Sequence, residues 1–342
     1  MKERYGNIDG LRAAGAVMIV LMHVGANMSR VSDLWIYQAV ISKFGKAVIL
    51  FFVISGFGMC CGYYEKMKSR NISFDQFYSR RYKKVLPFVA LLVAIECVVG
   101  YSQKRTWIES FSTLTLLYGF LPTAGTFSVL GVGWTLGVEF AFYCMFPFFV
   151  FSMWTPKRAR LFFLLTIIIN ILCENYFTVS GTIVAMNILR WLVAFAAGGL
   201  IYLFREKIKA CVEKKRWLWL LACLLCSWLV VLSDMNLCGL NIATLEYTAC
   251  FSLWLCYAIG CRSAVLSNRI TDFFSKLSLE IYLSHMLLFR VVELIRLERW
   301  ISNVWLLYTV NFVLTLAATI GFAMCANALI RITKNACRKV FQ

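Results

Sequence analysis

Apolar runs recur along the whole of this 342-residue chain, each near bilayer-crossing length and each bounded by short polar segments. They predict ten spanning helices, at about 11–28, 44–63, 85–101, 133–153, 159–177, 186–204, 217–233, 244–262, 277–296 and 304–330. A further stretch, Phe111 to Pro122, is short for a span and reads as an interfacial or re-entrant helix. The expected class is therefore all-α, a polytopic membrane protein with about ten transmembrane helices. No internal repeat, low-complexity tract or Pro/Gly linker divides the chain. Residues 1–342 read as one membrane domain with a short tail, 331–342.

Composition agrees. Hydrophobic residues make up 61%, charged residues only 15%, and the mean hydropathy is +0.74. A net charge of +18 would point to nucleic acid in a soluble protein. Here the Lys/Arg distribution explains it without one. With the N-terminus inside, the segments 1–10, 64–84, 154–160, 205–216, 262–276 and 331–342 are cytoplasmic and carry 25 of the 35 Lys/Arg residues. The opposite loops carry five: Arg30, Lys43, Lys104, Arg105 and Arg299. That asymmetry places both termini in the cytoplasm. No cleavable signal peptide is evident, so the first span is expected to act as its own insertion signal.

The fourteen cysteines lie mostly inside apolar runs (Cys60, Cys97, Cys144, Cys173, Cys250), where a thiol packs as a small hydrophobe. Cys223 and Cys226 form a CxxC within such a run and read as packing. With two histidines and no carboxylate cluster at ligand spacing, no metal site is expected.

Candidate chemistry begins at Asp9-Gly10-Leu11-Arg12, whose apolar continuation reaches His23. Eleven positions are close to three helical turns, so Arg12 and His23 share a face about 16 Å apart along the axis. Either that face lines an internal cavity, or Arg12 is a flanking anchor and His23 a packed polar group. A basic run, Phe77-Tyr78-Ser79-Arg80-Arg81-Tyr82-Lys83-Lys84, precedes Pro87. Arg81 and Lys84 are helix neighbours, as are Arg80 and Lys83. Such cations suit either positive-inside anchoring or a polyphosphate ligand arriving from the cytoplasm.

Gly133-Trp134-Thr135-Leu136-Gly137-Val138-Glu139 opens a span running outside to inside. Counting from the outer boundary puts Glu139 at the depth of His23, where a carboxylate would orient the imidazole and raise its basicity. The glycines at 131, 133 and 137 lack the strand-turn-helix of a dinucleotide site and are discarded. Glu96, Glu174, Arg190, Glu246, Arg290 and Glu293 fall in the outer halves or ends of spans and predict a polar vestibule. His285, in Ile281-Tyr282-Leu283-Ser284-His285, is expected nearer mid-membrane, bonded to a neighbouring helix.

Five of these stretches stand in the order seen in membrane-bound acyltransferase family 3, the OafA-like O-acyltransferases. They are Arg12-x10-His23 after Asp9-Gly10-Leu11, Phe51-Phe52-Val53-Ile54-Ser55-Gly56-Phe57, the basic run, Trp134-Thr135-Leu136 with Glu139, and Ile281 to His285. The chain resembles that family from about Asn7 to Ala328. The resemblance implies transfer of an acyl group, usually acetyl from cytoplasmic acetyl-CoA, to a sugar hydroxyl of a surface or lipid-linked glycan. The setting is a multi-pass cell membrane, the cytoplasmic membrane of a bacterium. His23 would be catalytic with Glu139 orienting it. Arg12, Arg80, Arg81 and Lys84 would hold the acyl-CoA phosphates, and Asp9, Trp134, Arg290 and His285 would contact substrate. Lys84 stands where the family's Arg-x-x-Arg element has a second Arg, and lacks its bidentate fork. The appended SGNH esterase-like domain of some relatives is not expected, so the acceptor would be acylated directly or through a separate protein. A transporter or flippase for a glycan precursor is the rival reading, but the inverted repeats or broken helices common in that class are not evident.

Overall fold

In the computed structural model of the chain, residues 5–99, 104–121, 129–182, 186–233 and 236–340 are described, the side chains of 104–106 and 337–340 excepted. Of the stretches read above, residues 1–4, 100–101 and 341–342 and Pro122 lie outside the described residues, as do the side chains of Lys104 and Arg105.

The main helices are α1 (Gly6–Ala26), α2 (Ala47–Met59), α3 (Phe74–Val99), α4 (Lys104–Thr115), α5 (Trp134–Ser152), α6 (Pro156–Leu172), α7 (Ile188–Lys214), α8 (Arg216–Leu232), α9 (Ala243–Gly260), α10 (Arg269–Lys276), α11 (Ser278–Glu293) and α12 (Val304–Val340). A two-residue hairpin, β1 (Asn236–Leu237) with β2 (Leu240–Asn241), joins α8 to α9. Among the described residues, the greater part of each of the ten apolar segments predicted from sequence lies on one of these helices. Among the described residues, six helical runs are long and apolar enough to cross a membrane: Gly6–Ala26, Trp35–Lys68, Trp134–Ser152, Pro156–Phe177, Ile188–Lys214 and Val304–Ala336. Helix α8 is apolar but shorter.

The bundle centres on α7 packed against α2. Small residues permit this. A β carbon on Gly56 would run into the backbone of Phe195, and one on Gly198 into that of Val53, so the two helices touch main chain to main chain. Around that contact the Phe142 and Phe195 rings stack at 4.0 Å, and Phe52 lies 5.0 Å from Phe195. The perimeter is the reverse. Leu161, Leu164, Leu165 and Ile168 on α6, and Leu221, Leu224, Leu225 and Trp228 on α8, are exposed. Apolar faces of that extent belong against hydrocarbon rather than water.

Two features position the site. The start of α1 is pinned by Asn7, whose Nδ2 donates to the carbonyls of Ala258 (3.3 Å) and Cys261 while Ser263 N donates to its Oδ1. Secondly, α5 starts inside the protein. Leu130 and Val132 are buried, Tyr118 donates its hydroxyl to the Gly133 carbonyl, and Gly119 packs on the backbone of Gly137. Tyr118 belongs to a buried turn, Tyr118–Phe120, that follows α4. The stretch expected to be interfacial or re-entrant thus folds back against the entrance to α5.

Candidate functional site

A cavity of about 420 Å³ opens between α1, α2, α3, α5, α10 and α11. That volume lies in the range of small-molecule sites. Arg12 enters it from α1 opposite Gly58 of α2, while Arg81 and Lys84 enter from successive turns of α3. The Arg81 guanidinium lies 4.5 Å from the Tyr63 ring centroid and 5.5 Å from that of Tyr143. Its buried Nε has no hydrogen-bond partner. Lys84 has Arg12, Arg81, Glu139 and Glu280 as its charged neighbours. Arg80 is exposed and is not among the cavity's lining residues. One residue of helix turns a side chain through 100°, which is why neighbours in sequence part company here.

Glu139 also lines this cavity, next to the Ser55 hydroxyl, and accepts a hydrogen bond from the Tyr143 hydroxyl at 3.4 Å. Its charged neighbours are Lys84 and Arg12. Sequence arithmetic put Glu139 level with His23. In the structure it lines the cavity with Lys84 and Arg12 as its charged neighbours, on a helix that begins among buried residues.

His23 occupies the last turn of α1, and its ring centroid is 5.2 Å from that of His285 on α11. His285 is fully buried. Its Nδ1 lies 2.7 Å from the Tyr282 carbonyl and 3.3 Å from that of Ile281. Carbonyls only accept, so Nδ1 donates a proton and Nε2 presents its lone pair. Nε2 has no hydrogen-bond partner. The expected bond from His285 to a neighbouring helix is replaced by a bond to its own, and the neighbour it meets is His23. Between this pair and the cavity stands Tyr282. Its ring lines the cavity, lies 6.1 Å from both His285 and Phe51, and its hydroxyl donates to the Val132 carbonyl at 3.2 Å.

The other residues expected to contact substrate have structural partners. Asp9 accepts a 2.8 Å hydrogen bond from Ser275, tying α1 to α10. Trp134 packs on Trp191 at 5.5 Å and on Phe52 at 6.3 Å. Arg290 pairs with Glu96. Of the remaining vestibule residues, Glu174 pairs with Arg190 at 2.8 Å and Glu246 accepts from Ser233 at 2.8 Å, while Glu293 is exposed. Sequence reasoning missed Ser55, Tyr63, Tyr143 and Glu280. Tyr143 was the most accessible, one helical turn beyond Glu139. Among the described residues no group of three or more His, Cys, Asp or Glu gathers as a metal site.

The helices thus bring three cations to one cavity, with a pair of histidine rings beyond Tyr282. The family model for the acyltransferase domain, acyltransferase family 3, matches residues 5–324, and the chain belongs to that family. It is a membrane acyltransferase by descent. Comparison with curated proteins and with solved structures finds no match.

Proposed function

We propose that this chain moves an acyl group, acetyl by preference, from cytoplasmic acetyl-CoA to a sugar hydroxyl of a surface or lipid-linked glycan on the far side of the membrane. One observation carries the reading. Arg12, Arg81 and Lys84 converge on a single cavity, and the helix that supplies Arg12 carries His23 three turns further on. On the ten-span reading with both termini inside, which the Lys/Arg distribution supports, the cations stand at the cytoplasmic mouth and His23 toward the opposite face.

The charged part of acyl-CoA cannot cross hydrocarbon, but its pantetheine arm is long and thin. The three cations hold the phosphates. The arm then carries the thioester past Phe51 and Tyr282 toward His23. His23 takes the proton of the acceptor hydroxyl as that oxygen attacks the thioester carbonyl. The carbon–sulfur bond breaks, and the proton passes from His23 to the leaving thiolate. The products are the O-acyl sugar and free CoA. Apolar wall residues, including Val48, Phe51, Phe52 and Leu136, suit a short acyl chain and keep bulk water from the thioester.

The test compares the O-acetyl content of surface glycans from cells carrying the parent chain, the His23→Gln variant, or neither. O-acetyl groups present only with the parent support the reading; equal content in all three rejects it.

A further inference from the structure

The structure assigns His285 as the positioning residue for His23, through a hydrogen bond from a His23 ring N–H to the His285 Nε2 lone pair. The inference rests on the acyltransferase reading for its consequence, since His23 is the base there. Its geometry stands apart from that reading.

Three observations converge. His285 is fully buried, and two carbonyls of its own helix hold its Nδ1 as a donor. That leaves Nε2 as an acceptor, and it has no partner. A buried acceptor without a partner is costly, so a native structure tends to supply one. Two neighbouring rings carry donors: Tyr282, whose hydroxyl is engaged by the Val132 carbonyl, and His23, whose centroid lies 5.2 Å from that of His285. The proposed bond needs a His23 ring nitrogen about 3 Å from Nε2, reached by a turn of the half-buried His23 ring about its own bonds.

Once that bond forms, the tautomer of His23 is fixed. The nitrogen facing His285 carries the proton, and the other presents a lone pair for the acceptor hydroxyl. When His23 accepts the hydroxyl's proton, the His285 lone pair stabilises the imidazolium, and no proton need move to His285. Sequence reasoning gave this task to Glu139, which instead stands among the cavity cations.

The chain holds only two histidines, which makes the test direct. Protein prepared without a histidine tag, labelled with ¹⁵N in its imidazole rings, gives resonances from two rings alone, assigned with His23→Gln. The expected result is a protonated Nδ1 and an unprotonated Nε2 on His285, with the His23 resonances displaced in His285→Phe. In transfer assays His285→Phe lowers kcat by about 10²-fold, the lower end of a positioned base's contribution, with KM for acyl-CoA unchanged. His285→Gln, whose amide oxygen can accept in place of Nε2, restores most of that loss. A protonated Nε2 on His285, or His23 resonances unmoved in both variants, overturns the assignment. Should His285→Phe fail to fold, the His285 Nε2 resonance in His23→Gln decides: displaced from its parental position it supports the bond, and unmoved it overturns it. The expected tautomers in a protein that transfers no acyl group would uphold the pair and reject the acyltransferase reading instead.

Discussion

The Tyr282 hydroxyl donates to the peptide carbonyl of Val132 at 3.2 Å, so the ring that separates cavity from histidine pair is fastened to the buried entrance of α5. The same ring lies against Phe51 and His285. One side chain of α11 therefore touches both α2 and the start of α5.

Tyr282→Phe tests that fastening. The ring remains and the hydroxyl is lost, leaving the buried Val132 carbonyl without this donor. Stability should fall by about 1 kcal/mol, the usual cost of one such bond. The melting temperature of the detergent-solubilised protein drops by a few degrees while acyl-CoA binding holds. An unchanged melting temperature would show that the bond contributes nothing.

The cations of α3 divide by face, and so should their variants. Neutralising Arg81 and Lys84 together weakens acyl-CoA binding and flattens its dependence on ionic strength, because two charges near the phosphates are gone. Arg80→Ala, on the exposed face, leaves both unchanged. Calorimetric titration with CoA across a salt series separates the two. Equal effects from Arg80 and from the pair would reduce all three to topological anchors.

Glu139 now carries an expectation opposite to the one its position in the sequence suggested. It sits beside Arg12 and Lys84, so Glu139→Gln removes a carboxylic group from among the cavity cations. CoA should bind at least as tightly, with a steeper salt dependence. The pH–rate profile of transfer should stay in place if His285, rather than Glu139, positions His23. A displaced profile with unaltered CoA binding would return Glu139 to the role of orienting His23.

What the chain disclosed in sequence follows a physical division. Segments recognised by their own apolar length, such as 11–28 and 304–330, fall on helices, because burial in hydrocarbon is a local property of twenty or so residues. Arg12, Arg81 and Lys84 were legible as a set because each lies on a helix whose periodicity is known. The neighbours of Glu139 were not legible, because they depend on where α5 begins. That is decided by the contacts of Tyr118, Gly119 and Tyr282, residues distant in sequence from Glu139's own helical turn. The tautomer of His285 was likewise hidden, since it follows from which carbonyls its ring meets.

Orientation is open to a chemical test. Cys238, in the turn between β1 and β2, and Cys211, near the end of α7, are both exposed, so access to either is decided by the side of the membrane it occupies. An impermeant maleimide added to sealed right-side-out cells should modify Cys238 and spare Cys211, as peptide mapping would show. Modification of Cys211 alone would invert the proposed topology.

His23→Gln is the decisive variant for the chemistry. A neutral polar side chain replaces another near the end of α1, and the Asn7 and Asp9 contacts that hold the start of that helix are untouched. Insertion and melting behaviour should survive. CoA binding should also survive, because Arg12 lies eleven residues away, about 16 Å along the helix. Transfer should fall by about 10² to 10⁴, the range for loss of a positioned base. KM for the acyl donor should hardly move, since the donor's phosphates meet the other end of the helix. Measuring CoA affinity and single-turnover transfer on the same preparation keeps folding and chemistry apart. A folded His23→Gln protein that binds CoA and turns over at the parental rate would remove His23 from the reaction and leave His285, with its free Nε2, as the base.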